Sequence, residues 1–152
     1  MDDLLEAKRQ GQLGVFFGLQ SGSCLEHDRK RLRLLHKMGL RVLQLTYMER
    51  NWVGDGCLEP ENRGLTNFGM QVVRECNRLG ILIDCSHVGI RTTLDAVKTS
   101  ARPIVISHTA VRAITDCSSM SRLRSSALRL RTTSAVAPLL DRARAAVLAD
   151  PY

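Results

Sequence analysis

The stretch NRLGILIDCSHVGIRTTLDAVKTSARPIVISHT, residues 77–109, decides how this chain is built. Two short apolar runs, ILI at 81–83 and IVI at 104–106, each lead into a polar turn that carries a histidine, His87 and His108. Between them RTTLDAVKTS reads as a helix capped near its start by threonines, and Pro103 opens the second run. A separation of 21 residues fits one strand end, a connecting helix and the next strand end. Both imidazoles then reach one end of a parallel sheet, where ligands gather. That is a geometry for metal binding. A single histidine after a strand is more often a hydrogen-bonded structural residue, but two at equivalent positions shift the balance.

The same alternation extends upstream. LLEAKRQGQ reads as the end of a helix, LGVFFGL (13–19) as a buried strand, LEHDRKRLRLLHKMG (25–39) as an amphipathic helix stopped by Gly39, and LRVLQLTY (40–47) as a strand. A polar loop from about Met48 to Leu65 follows, with Asp55 in GDGC read as a turn residue. Thr66 can cap the helix NFGMQVVRECNRL, in which Phe68, Val72, Val73, Cys76 and Leu79 repeat at helical spacing until Gly80 ends it. The four strands are apolar throughout, as strands covered on both faces should be. Strands joined by helices make right-handed parallel units, either a doubly wound sheet or a barrel. Their carboxyl ends carry Gln20, Tyr47, Asp84 with His87, and His108. Asp84 has two readings, a carboxylate orienting a metal ligand or an anchor for the strand end, the second being the stronger. His27 and His36 fall in the charged helix and are expected to face solvent.

Composition narrows the function classes. The net charge of +7 is unevenly spread: residues 1–116 hold 16 Lys and Arg against 13 Asp and Glu, and the rest of the excess lies in an Arg/Ser/Ala-rich tail, 117–152. That tail lacks aromatic interleaving or a recognisable binding motif, so no specific nucleic-acid site is expected. No apolar run approaches the roughly 18 residues of a membrane span, and the charged start MDDLLEAKRQ does not read as a secretory signal. A soluble cytoplasmic chain is the expectation. The five cysteines form no CxxC pair and read as reduced thiols, with Cys76 and Cys85 packing as small hydrophobes.

RVLQLTYMERNWVGDGCLEPENRGLTNFGMQVVRECNRLGILIDCSHVGIRTTLDAVKTSARPIVISHT resembles the membrane (renal) dipeptidase family, the zinc dipeptidases of peptidase family M19. The resemblance covers about residues 10–116, and its most specific pieces are GLTNFG, NRLG leading into ILIDCSHVG, and the later ISH. It implies an amidohydrolase-like (β/α)8 fold with two Zn2+ ions at the carboxyl ends of the strands, bridged by a carboxylate and a hydroxide that attacks the peptide carbonyl. A complete barrel of this type takes about 250 residues. The expected structure here is therefore a partial (β/α) barrel of about four parallel strands over 1–116, with the tail as a separate segment of uncertain structure.

By the same resemblance His87 and His108 are ligands of one zinc, Gln20 falls at the bridging position that is glutamate in the animal enzymes, and Tyr47 takes the place of a substrate-contacting histidine. A neutral amide holds cations poorly, and a phenol can donate a hydrogen bond but cannot be cationic. A His-x-Asp pair for the other zinc is expected upstream of the matched segment. Ser119 stands where a substrate-gripping arginine is expected, and a late aspartate lies beyond. Two functions follow: a zinc-dependent dipeptidase acting on dipeptides, or a truncated, inactive remnant that persists by oligomerising. Four parallel strands leave open edges and an uncovered inner face, which points to self-association, including a homo-oligomer.

Overall fold

The computed structural model of the chain describes residues 2–108. The tail segment 117–152, with Cys117 and Ser119, lies outside the described residues. Four strands, β1 Phe17–Leu19, β2 Leu40–Gln44, β3 Leu82–Asp84 and β4 Ile104–Val105, pair in chain order and all in parallel. The helices are α1 Asp2–Arg9, α2 Lys30–Lys37, α3 Asn67–Leu79 and α4 Ile90–Thr99. Strands in chain order wind in one direction, whereas a doubly wound sheet reverses at its switch point. The architecture is therefore that of consecutive units of a (β/α)8 barrel, with four strands present.

Register decides which side of the sheet is core. Leu19, Leu43, Ile83 and Ile104 form one row across the four strands, and Leu43 and Ile83 are buried in the main apolar cluster. Here α2 packs on β2, while α3 packs on β3 and on both neighbouring helices. Adjacent rows point to the opposite face. One of these holds Gly18, Val42 and Leu82, and Leu82 is 40% exposed. The covering expected on both faces is complete on the helix side, whereas the other face is mixed: Leu82 is open, while Gln44 and Asp84 nearer the strand ends are buried. β1 is also shorter and more open than expected: Leu13 is 90% and Phe17 62% exposed. β2 supplies pairing partners for residues 17–19 alone.

Local sequence explains most of the elements. The Thr66 hydroxyl caps α3 by accepting from the Gly69 amide at 2.9 Å, and Gly80 ends the helix in the left-handed region at φ 76°. Phe68, Val72, Val73 and Cys76 turn its apolar face into the core. Segment 25–39 departs from a single helix: a short 3-10 helix, Gly22–Leu25, precedes a turn, and α2 starts only at Lys30. Glu26 and His27 are both left-handed, with φ of 44° and 63°, which a continuous right-handed helix cannot contain. The threonines of α4 do not cap it. Gly89 occupies the cap position, while Thr92 and Thr93 are buried and Thr92 Oγ1 accepts from the Asp55 amide at 3.1 Å.

The polar loop before α3 proves to be partly core. Val53, Gly54, Asp55 and Gly56 are buried, and Gly54 and Gly56 bridge to Leu65 and Val88. Asp55 is more than a turn residue: its carboxylate accepts from Arg50 Nε at 2.6 Å and from the Arg63 amide. Burial raises this carboxyl, but the Arg50 and Arg63 contacts outweigh it and leave it below the ordinary range. The loop can sink this deep because its glycines let backbones touch. A Cβ on Gly69 would stand 2.0 Å from the Val53 carbonyl oxygen, and one on Gly56 2.2 Å from that of Met48. Cys76 and Cys85 are buried thiols without a disulfide, pushed up to about 12 by burial, in keeping with a packing role.

Candidate metal centre

The four strand-end residues singled out in the sequence come together. His87 and His108 lie on the turns after β3 and β4 with ring centroids 4.8 Å apart in an edge-on arrangement. The Tyr47 ring, 45% exposed beyond β2, sits 4.7 Å from that of His87. Gln20, directly after β1, brings its amide nitrogen to 3.3 Å from His108 Nε2. Parallel pairing in chain order produces this convergence, since each strand delivers its last residues to the same end of the sheet.

His87 owes its pose to backbone held in a sparsely populated region. Its φ is 58°, left-handed for a residue with a Cβ. The Cys57 amide donates to the His87 carbonyl at 2.9 Å, Gly56 bridges to Val88, and the Gly89 amide donates to the Asp55 carbonyl at 2.9 Å. The buried loop thus clamps the turn from both sides. Burial and the neighbouring His108 hold the His87 imidazole below its ordinary value, against a smaller pull from Asp84. A neutral imidazole is the form that can donate a lone pair to a metal.

Asp84 anchors the strand ends, as the stronger of its two sequence readings expects, and does so across two strands. Its Oδ1 accepts from the Ser86 amide at 2.9 Å, the Ser86 hydroxyl at 2.7 Å and the Ser107 amide at 3.2 Å, while Oδ2 accepts from the Ser107 hydroxyl. It ties the ends of β3 and β4 together. Ser107 Oγ is also 2.8 Å from His108 Nδ1, so the carboxylate reaches His108, through a serine, and not its nearer neighbour in sequence. Burial raises the Asp84 carboxyl, but the Ser107 and Ser86 hydrogen bonds outweigh it and keep it below the ordinary range. Ser86 and Ser107 were missed in the sequence, where a serine after a strand reads only as a turn former. The signal available was the pair of spacings D-x-S and S-H at neighbouring strand ends.

The remaining histidines stand apart. His27 is exposed but outside α2, its ring tilted against those of Phe68 and Trp52 with centroids 4.5 and 5.3 Å away, and His36 is half-buried in α2. Among the described residues no three His, Cys, Asp or Glu side chains gather closely enough to hold a metal. The donor set is therefore two imidazoles, a phenol and an amide. Two neutral nitrogen donors suit zinc, and a tetrahedral shell asks for two more.

Comparison with known proteins agrees with this architecture. Dipeptidase tcpJ of Claviceps purpurea is 30% identical over 115 residues, which is 74% of this chain and 27% of that protein. The chain thus spans about a quarter of the length of that relative. An amidohydrolase from Pseudomonas aeruginosa superposes with a TM-score of 0.74 at 32% identity, over 79% of this chain and 37% of that one. A metallopeptidase from Rhodobacter sphaeroides, solved with a phosphinate mimic of the dipeptide L-Ala-D-Ala, gives 0.71 at 25% identity over 78% and 36%. Residues 1–129 match the family described as membrane dipeptidase, peptidase family M19. With its four-strand barrel segment and sequence agreement along that length, the chain belongs to the membrane dipeptidase family, M19, a family of metallopeptidases.

Proposed function

We propose that this chain carries the paired-histidine part of a zinc-dependent dipeptidase site, one that hydrolyses the peptide bond of dipeptides. The observation that carries the reading is the convergence of His87 and His108, rings 4.8 Å apart, at the ends of adjacent parallel strands. In this reading His87 and His108 hold one Zn2+ through ring nitrogens. Zinc supplies Lewis acidity and an activated water. Tyr47 presents its hydroxyl at the rim and donates a hydrogen bond to the substrate carboxylate. Gln20 occupies the bridging position, where a neutral amide contributes far less than a carboxylate.

The test is zinc content and dipeptide hydrolysis on the purified chain, with and without added Zn2+. Bound zinc together with turnover, both lost in His87→Ala and His108→Ala, is the expected result. Normal hydrolysis in both variants would remove the histidines from the site. Zinc bound without turnover would favour the inactive-remnant reading.

A further inference from the structure

We infer that Ser107 is a positioning residue that fixes the tautomer of His108, setting its Nε2 as the lone-pair donor. The geometry stands on its own; only its consequence for metal rests on the zinc reading above. An ionised Asp84 accepts hydrogen bonds and donates none. The single hydroxyl proton of Ser107 goes to Asp84 Oδ2, so towards His108 Nδ1, 2.8 Å away, Ser107 Oγ can only accept. Nδ1 therefore carries a proton, and in the neutral ring Nε2 is left bare. Ser86 performs the same service for the backbone: it gives its proton to Asp84 Oδ1 at 2.7 Å and accepts from the His108 amide at 3.0 Å. One carboxylate thus holds both the amide and the ring of His108 through two serines. Gln20 fits this assignment independently, since its amide nitrogen, a donor, lies 3.3 Å from Nε2. The neutral histidine side chain in water prefers its proton on Nε2, so the serine makes the less common tautomer the resident one and removes that cost from metal capture.

Two-bond proton–nitrogen correlation spectra of the metal-free chain distinguish the two ring nitrogens, with His108 assigned by loss of its signals in His108→Gln. Wild type and Ser107→Thr, which keeps a hydroxyl, are expected to show the proton on Nδ1. Ser107→Val, nearly isosteric with threonine but unable to accept, is expected to move it to Nε2. The same valine variant should bind Zn2+ about 10-fold more weakly in competition with a chromophoric chelator. A proton on Nε2 of His108 in the wild type would overturn the inference whatever the variants do, as would an unchanged Nδ1 proton in a folded Ser107→Val. Should wild type show the Nδ1 proton yet bind no zinc, the zinc reading falls and the tautomer assignment stands.

Discussion

Gln20 and Tyr47 test the site one side chain at a time. Gln20→Glu replaces a neutral amide by an anionic oxygen donor beside His108, and Zn2+ affinity is expected to rise about 10-fold. A chelator-competition titration measures it, and a weaker site would mean that the amide's contact with Nε2 matters more than charge. Tyr47→Phe keeps the ring against His87 and removes only the hydroxyl. Loss of one hydrogen bond of about 1 kcal/mol corresponds to roughly a fivefold rise in KM. Zinc affinity should be unchanged. These four positions were legible in the sequence because each follows an apolar run, and a parallel sheet sends all run ends one way. The anchoring role of Asp84 was legible too, but its reach to His108 and the roles of Ser86 and Ser107 were not, since they depend on the register that sets Asp84 beside Val105. No spacing within a single turn reports a hydrogen bond to the next strand.

Among the elements, α3 makes the sharpest predictions. Thr66→Ala removes its cap and is expected to cost about 1 kcal/mol in urea unfolding. Gly69→Ala should cost more, about 1–3 kcal/mol, because its Cβ would press on the Val53 carbonyl and push the buried loop outward. Glu75, mostly buried on the same helix, accepts two hydrogen bonds from Arg78, at 2.9 and 2.8 Å, and one from Arg33 at 2.8 Å. Arg78 above all, helped by Arg33 and opposed by burial, lowers its carboxyl from 4.5 to about 2. A carboxyl lowered in the folded state adds stability that is complete above its unfolded value and is lost as pH falls through the folded one. Melting temperature should therefore decline between about pH 4.5 and 2 more steeply in wild type than in Glu75→Gln; parallel curves would detach this cluster from acid stability. The helix α3 could be read to its last residue because cap, apolar stripe and terminating glycine all agree. Segment 25–39 could not, because its leucine spacing continues across Glu26 and His27, where the backbone reverses hand.

At the scale of the whole molecule, the exposed apolar side chains at and around β1 and β3 govern behaviour. Phe17 and Leu82 are open, Leu13 and Val15 extend the apolar surface beyond β1, and no helix among the described residues is long and apolar enough to cross a membrane. An unpaired strand edge beside exposed apolar side chains favours pairing with another chain. Sedimentation should show concentration-dependent association that Phe17→Lys weakens, and a monomer at high concentration would contradict this. The barrel segment was legible from alternating strands and helices, and the openness at Leu82 follows from the expectation that four parallel strands leave an uncovered inner face; the burial of Gln44 and Asp84 on that same face was not legible, since it depends on the loops at the strand ends. The clamp on His87 bears on how portable the histidine pair is. Its left-handed backbone is imposed by Gly56 and Cys57, residues that precede α3, so the two turns do not form a transferable motif. A graft of residues 77–108 onto another parallel sheet would carry both imidazoles and lose the relation between them; the smallest unit that preserves it runs from the loop after β2 to His108, on the turn after β4.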